Sequence, residues 1–255
     1  MPYVDIEGHN YYYSQNYQGN PKLNNQTIIF IHGAGGNHKF WYNQSKELSS
    51  EFLINVPDLP GHGKSEGTPI NNIAGYSSFI NKFIDSTAKA PVYLAGHSMG
   101  GAIAMDFALK YPQKLKKLIL IGTGPRLRVM PQILETFSKG QHFLELVNWF
   151  YRKNPPQTLL DLAKKDVIST NPKVWFADFT ACNNFDITDN LKNIKTNTLV
   201  IGAAEDMLTP LKYSKTLERE LPRAKLEVID GAGHMMMLEK PDQVNFAITN
   251  FIRGE

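Results

Sequence analysis

A serine flanked by glycines, an aspartate just after an apolar run and a histidine on a glycine-rich loop are the residues whose types and order suit nucleophilic catalysis. They are Ser98 in Gly96-His97-Ser98-Met99-Gly100-Gly101, Asp206 in Gly202-Ala203-Ala204-Glu205-Asp206, and His234 in Gly231-Ala232-Gly233-His234. A serine hydroxyl is a poor nucleophile at neutral pH and needs a base to take its proton as it attacks. Imidazole is such a base, and a carboxylate behind it fixes the ring tautomer and stabilises the imidazolium that forms. Asp206 suits the carboxylate role better than Glu205, because a strand-exit turn ahead of Thr209-Pro210 favours a short side chain reaching inward. The competing use of Asp206 is to cap a helix opening near Pro210.

Positioning Ser98 calls for a strand, a sharp turn and a helix. Val92-Tyr93-Leu94-Ala95 is an apolar run that reads as a buried strand, and residues 99–110 read as the helix. Gly96 and Gly100 bracket the serine because strand and helix approach so closely that a side chain at either site would collide with the neighbouring backbone. The helix turns its unpaired N–H groups and positive dipole end toward the serine, where an anionic intermediate is favoured. The bare G-x-S-x-G pattern has low specificity, since glycine-flanked serines also occur in ordinary turns. Here the strand before it and the helix after it supply the context that a nucleophile elbow demands.

A second strand, Thr27-Ile28-Ile29-Phe30-Ile31, is a continuous β-branched and aromatic run of the kind buried on both faces. It ends in His32-Gly33-Ala34-Gly35-Gly36, where glycines let the backbone turn an N–H inward; Ala34 is the candidate donor, against the plainer reading of a flexible turn. His32 is expected to hold this loop by hydrogen bonds, not to act as a base. Asp58 and His62 lie in the Gly/Pro loop Pro57-Asp58-Leu59-Pro60-Gly61-His62-Gly63-Lys64-Ser65 with no nucleophile near them, so loop-stabilising hydrogen bonding is expected of both.

Composition narrows the function classes. The chain has 255 residues, of which 42% are hydrophobic, enough for a large core, and a near-balanced net charge of +3 with dispersed lysines and arginines, so no electrostatic footprint for nucleic acid is expected. The single cysteine, Cys182, excludes a disulfide framework. Met1-Pro2-Tyr3-Val4-Asp5-Ile6 has neither a basic n-region nor a long apolar stretch, and no membrane span is expected. The expectation is a bacterial-type cytoplasmic protein.

Along the chain, residues 2–6 and 10–14 read as an opening hairpin at a sheet edge, with its tyrosines packing. A helix over 40–48, a strand over 52–56, a helix over 73–88 with Phe79, Ile80, Phe83 and Ile84 at helical spacing, the strand before Ser98 and a strand at Leu118-Ile119-Leu120-Ile121 then alternate. Such alternation implies a parallel sheet covered on both faces. From 126 to 190 the alternation stops. Phe143, Val147, Phe150 and Tyr151 repeat at helical spacing, and Asn171-Pro172 opens a helix carrying Val174, Trp175, Phe179 and Cys182. This segment is expected to be a helical lid inserted between core segments 1–125 and 191–255. Its aromatic residues either pack it onto the core or line a pocket, and basic clustering that would favour membrane contact is lacking. Strands resume at Thr198-Leu199-Val200-Ile201-Gly202 and Leu226-Glu227-Val228-Ile229, Met235 to Leu238 are expected to bury against the core, and a last helix follows Pro241.

With each of Ser98, Asp206 and His234 following a strand in that order, nearly the whole chain resembles the α/β-hydrolase fold superfamily. The resemblance rests on the segments 32–36, 58–65, 96–101, 202–206 and 231–234, and within the superfamily it is strongest to lid-bearing serine esterases and enol-lactonase-like members. Serine at position 98 argues against the branches that use aspartate there, and Met99 against proline iminopeptidases, which carry tryptophan after the nucleophile. The resemblance implies an α/β fold with an inserted lid and a Ser98–His234–Asp206 triad acting on a small-molecule substrate with an acyl group. Backbone N–H groups of Met99 and Ala34 would hold the oxyanion, and neither metal nor organic cofactor is required. Esters, lactones, thioesters and carbon–carbon bonds are all cleaved by this triad, and a ligand-binding signalling module with slow turnover is the rival from another class. Such a module needs an exposed apolar patch, for which Trp149, Phe150 and Trp175 are the candidates unless they face the pocket.

Overall fold

The computed structural model describes residues 2–18 and 26–254. Residues 1, 19–25 and 255, which fall within the expected core segments, lie outside the described residues. Two strands, β1 (Tyr3–Ile6) and β2 (His9–Asn16), form the opening hairpin, turned by Glu7 and Gly8 at φ 55° and 82°. The parallel strands follow: β3 (Thr27–Ile31), β4 (Leu53–Pro57), β5 (Val92–His97), β6 (Leu115–Ile121), β7 (Thr198–Ala203) and β8 (Ala224–Ile229). They make one eight-stranded sheet in the order β1-β2-β4-β3-β5-β6-β7-β8, parallel except for the hairpin and its antiparallel pairing with β4.

Alternate residues of the central strands feed two cores, one on each face. Ile28 and Phe30 of β3, Tyr93 and Ala95 of β5 and Ile119 and Ile121 of β6 point to one core; Ile29 and Ile31, Val92 and Leu94, and Leu118 and Leu120 point to the other. The first core is closed by α1 (Tyr42–Leu48) and by the C-terminal helices. The second is closed by α2 (Ile73–Thr87) and α3 (Met99–Lys110), whose Phe79, Phe83, Ile103 and Phe107 are buried. With both faces covered, these strands read as continuous apolar runs.

Between β6 and β7 the chain forms α4 (Pro131–Ser138), α5 (Gln157–Ser169) and α6 (Pro172–Asn183), with 3-10 turns at Leu144–Trp149 and Thr188–Asn193. The spacing of Phe143, Val147, Phe150 and Tyr151 predicts an α-helix there, and the structure corrects this. The segment is a short 3-10 helix that then turns, because Phe150 and Tyr151 leave its line to dock on the loop before Met235. After β7 come α7 (Leu211–Glu220), and after β8 the one-turn α8 (Met236–Glu239) and α9 (Pro241–Arg253).

The strand order matters for the site. The sheet grows from β3 toward β4 on one side and toward β5 on the other, so the loops leaving the carboxyl ends of β3 and β5 diverge and open a crevice between them. Helix α3 crosses there in direct contact: a Cβ on Gly100 would lie 2.3 Å from the Ile31 carbonyl oxygen, and one on Gly96 would lie 2.1 Å from that of Gly100. Gly100→Ala should therefore cost at least about 2 kcal/mol in urea-unfolding measurements, with lower soluble yield; wild-type stability in that variant would show that the helix can retreat.

Candidate active site

Ser98 sits on the turn between β5 and α3 with φ 53° and ψ −117°, a left-handed conformation that a non-glycine residue holds at a cost of about 1–3 kcal/mol. Its surroundings enforce this. The Ser98 N–H donates to the Ile121 carbonyl (3.0 Å), while the Ser98 carbonyl accepts from Thr123 Oγ1 (2.9 Å) and from the Gly101 and Ala102 N–H groups (2.9 and 3.2 Å). The residue is half-buried and lines two cavities, of about 50 and 410 Å³.

His234 shares the wall of the smaller cavity with Ser98. Its Nδ1 lies 2.9 Å from Asp206 Oδ2 and 3.1 Å from Oδ1, and both side chains are buried. Asp206 also accepts the Leu208 and Thr209 N–H groups and the Thr209 hydroxyl at 2.9, 2.8 and 2.7 Å. Burial alone would raise its pKa, but the imidazole and these donors outweigh burial and hold the carboxyl below its usual value. Glu205 points elsewhere and accepts the Lys153 N–H at 2.9 Å. Helix α7 has Pro210 at its N-cap with no side-chain cap, so Asp206 caps no helix. His97, whose type the elbow pattern leaves free, props His234 from behind: its Nε2 donates to the His234 carbonyl at 3.0 Å, with ring centroids 4.6 Å apart.

The loop after β3 is held from both ends. His32 accepts the Leu59 N–H on Nε2 (3.1 Å), so its proton sits on Nδ1, which donates to the Gly33 carbonyl at 2.9 Å. That carbonyl also receives the Gly36 N–H at 3.1 Å. In a trans peptide C=O and N–H point in opposite directions, so pinning the Gly33 carbonyl orients the Ala34 N–H. Ala34 lines both cavities beside Ser98, and a Cβ on Gly33 would lie 3.2 Å from that of Ser98. Burial holds the His32 and His97 imidazoles neutral, with pKa values lowered to about 4 and about 3.

Two further loop residues act as the sequence implies, with partners it does not reveal. Asp58 accepts the His38 N–H, His38 Nδ1 and the Lys64 N–H at 2.7, 2.9 and 2.9 Å. His62 donates from Nδ1 to the Pro60 carbonyl (3.0 Å) and from Nε2 to Asp178 (2.8 Å). Burial would lower the His62 pKa, but the Asp178 charge and both acceptors outweigh it and raise the value. Asp178 itself escapes a reading for catalytic motifs. The available signal was a carboxylate on the stripe of α6 that also carries Val174, Trp175 and Cys182, all of them buried.

Of the aromatic residues between β6 and β7, Phe176 is exposed on α6, whereas Phe137, Phe143, Tyr151, Trp175 and Phe185 are buried. Trp175 is only 3% exposed and forms a triangle of rings with Phe137 and Phe179, its centroid 5.5 Å from each and theirs 5.8 Å apart. Phe150 lines the smaller cavity, Trp149 the larger and Phe179 both, so these residues do not form the exposed patch that a signalling module would need. Met235, Met236 and Met237 are buried and Leu238 half-buried, with Met235 and Leu238 on the cavity wall. Among the described residues, no group of three or more His, Cys, Asp or Glu side chains is placed to hold a metal ion, and no helix is long and apolar enough to cross a membrane.

Residues 28–247 match the model of the alpha/beta hydrolase family. A protein of Caulobacter sp. (strain K31), provisionally named carbamate hydrolase RutD, is 29% identical over 93% of this chain and 94% of its own. The solved structure of a thermophilic esterase superposes with a TM-score of 0.86 at 29% identity, covering 99% of this chain and 97% of that one. The enol-lactonase from Burkholderia xenovorans LB400 gives a TM-score of 0.90 at 19% identity, with 99% and 100% covered, a likeness of fold.

The buried histidines set the acid side of the stability profile. The unfolded chain takes up protons on His32 and His97 near the ordinary value of 6.5, whereas the folded protein resists until about pH 4 and about pH 3. The unfolded state thus binds more protons as pH falls, and folding stability should drop by roughly 1.4 kcal/mol per pH unit for each histidine between about pH 6 and 5. His62 works in the opposite sense: its stabilisation is present below the unfolded value and is lost as pH rises through its raised folded value. Urea midpoints measured across this range check the slope, which His97→Gln should reduce.

Proposed function

Because the chain belongs to the alpha/beta hydrolase family, we propose that it is a serine hydrolase that cleaves an ester-type acyl bond of a small molecule through an acyl-enzyme on Ser98. The observation that carries this reading is the 2.9 Å contact between His234 Nδ1 and Asp206 on the wall of the cavity that Ser98 also lines. With its Nδ1 proton committed to the carboxylate, His234 keeps the Nε2 lone pair free to accept the Ser98 proton as Oγ attacks the carbonyl carbon. The carbonyl oxygen gathers charge as the tetrahedral intermediate forms, and the N–H groups of Ala34 and Met99 receive it. A donor of this kind lowers the barrier by roughly 3 kcal/mol. His234 then returns its proton to the departing alkoxide. Water, deprotonated by the same nitrogen, attacks the acyl-enzyme and releases the acid, so the reaction balances with water as the only co-substrate.

The helices of 126–190 form the lid in this reading, and 1–125 with 191–255 the core. Phe179 and Leu208 line both cavities, as Ser98 does, so a bound ester would lie across Ser98 with one half in each. A cavity of about 50 Å³ has room for about three to five water-sized groups, which favours an ester with one short half and one long apolar half. Carbamate, ester and lactone carbonyls, the groups named for the similar proteins, all pass through the same tetrahedral oxyanion.

Ser98→Ala and His234→Ala should each lower kcat on p-nitrophenyl acetate by at least about 10⁴-fold, and Asp206→Asn by a similar factor, with circular dichroism unchanged. Glu205→Gln should stay within about 3-fold of wild type, since its carboxylate accepts the Lys153 amide and not the His234 imidazole. Full activity in Ser98→Ala would falsify the assignment. Two ester series, one lengthening the acid and one the alcohol, should differ: kcat/KM should collapse beyond about four carbons in one series only. Phe179→Ala, which joins the cavities, should relax that limit; equal tolerance of both series would remove the basis for assigning a short half.

A further inference from the structure

Asp178 is a buried carboxylate on α6 that the proposed triad does not use, and its three partners come from three other parts of the fold. Oδ2 accepts the Gly35 N–H at 2.8 Å and His62 Nε2 at 2.8 Å, and Oδ1 accepts the Tyr76 hydroxyl at 2.6 Å. Tyr76 in turn receives the Ile70 N–H at 3.0 Å. Asp178, His62 and Tyr76 are all nearly inaccessible to solvent. Both His62 nitrogens face acceptors, so both carry protons and the ring is the counter-ion of the carboxylate.

The Gly35 amide is the informative partner, because it begins where Ala34 ends. The peptide before Ala34 is set by the Gly33 carbonyl, held by His32 Nδ1 and the Gly36 N–H. The peptide after it is set by the Gly35 N–H, held by Asp178. Both dihedrals of Ala34 are thereby fixed. Gly35 takes φ 62°, and the Trp175 ring fills the place where its Cβ would lie, 2.3 Å away, so the loop is also wedged from above by the helix that carries Asp178.

We propose that Asp178 is a positioning residue for the oxyanion donor at Ala34, holding the Gly35 amide while His62 neutralises it. This inference rests on the acyl-transfer reading above. It ties catalytic competence to the seating of α6: when that helix lifts, the Gly35 amide loses its acceptor and the donor loses its aim. A misaimed donor weakens the transition state, where oxygen carries charge, much more than the ground-state carbonyl. The signature is accordingly a fall in kcat with KM little changed.

The test compares Asp178→Ala and Asp178→Asn with wild type on p-nitrophenyl acetate, with rates normalised to sites counted by stoichiometric phosphorylation of Ser98 with diethyl p-nitrophenyl phosphate. Asparagine retains one oxygen for the Gly35 N–H and His62 and turns its NH₂ to the Tyr76 oxygen. It should remain within about 5-fold of wild type. Alanine should lower kcat per counted site by about 10- to 100-fold and leave KM within about 3-fold. Amide hydrogen exchange over 33–36 should accelerate by at least about 10-fold in the alanine variant and little in the asparagine variant. If alanine does not fold, Asp178→Leu keeps the branched shape without the acceptor oxygens and the same outcomes apply. Wild-type kcat per counted site with a lower melting temperature would overturn the proposal, leaving Asp178 a tether for α6. If the wild-type chain turns over no acyl substrate, the acyl-transfer reading fails by itself, and unaltered exchange over 33–36 in the variants overturns the positioning role independently.

Discussion

The site is organised by a contact in which no side chain takes part. Helix α3 lies against the end of β3 so closely that the Ile31 carbonyl occupies the place of a Gly100 Cβ, and the Gly100 carbonyl occupies that of a Gly96 Cβ. This approach leaves Ser98 no ordinary backbone conformation, and four hydrogen bonds through its N–H and carbonyl, counting those to α3, keep it at positive φ. The neighbouring loops are spread by the strand order, which sends the chain leaving β3 toward β4 and the chain leaving β5 toward β6, in opposite directions along the sheet. Ala34 and Ser98 thus share one crevice because β3 and β5 are adjacent and parallel, paired from Ile28 with Tyr93 to Ile31 with Gly96.

Around this crevice, four buried histidines carry different charges for reasons visible in their hydrogen bonds. His32 and His97 each face one carbonyl; a backbone N–H meets the other nitrogen of His32, while the other nitrogen of His97 meets no partner among the described residues, so each ring has one acceptor to donate to and burial keeps both neutral. His62 faces a carbonyl and a carboxylate and takes two protons. His234 faces Asp206 through Nδ1, and its carbonyl is held by His97. Identical side chains are thus given separate tasks by what their nitrogens meet. The neutral pair matters for the charged one: imidazolium at His32, with its ring centroid 4.9 Å from that of His62, would add a second buried cation to the same pocket.

The helices between β6 and β7 are joined to the loops of the sheet through polar backbone contacts as much as through apolar packing. Asp178 receives the Gly35 amide, Glu205 the Lys153 amide and Glu239 the Arg152 and Gly233 amides, while the Phe150 carbonyl accepts from Met235. Gly233 passes so near Tyr151 that a Cβ would lie 2.2 Å from its carbonyl carbon. The loop carrying His234 is therefore shaped by residues some 80 positions earlier in the chain, and a shift of either segment is felt by the other.

The fold was legible because its signals are local and repeat. The run at 27–31 and the strand at 92–97 show as continuous apolar stretches, the elbow as glycines around a serine before the helix at 99–110, and Asn171-Pro172 opens α6 as a cap and first turn should. Ser98, Asp206 and His234 could be singled out because strand ends and glycines mark where side chains are presented. Phe143 to Tyr151 misled for the converse reason: a helical spacing in a short aromatic segment is also what a 3-10 turn docked on another loop shows. Partnership, in contrast, belongs to the tertiary structure. Asp206 lies one residue from Glu205, and only the packing of 150–153 over the His234 loop shows that Glu205 is taken by Lys153 while Asp206 meets the imidazole. His62 is four residues from Asp58 but pairs with Asp178, 116 positions away, and Asp58 pairs with His38. The sequence by itself determined which elements form and where side chains are offered, since backbone periodicity and turn chemistry act over a few residues. The tertiary structure alone decided which buried charges face one another, because a hydrogen bond is settled by tenths of an ångström between segments that have no proximity along the chain.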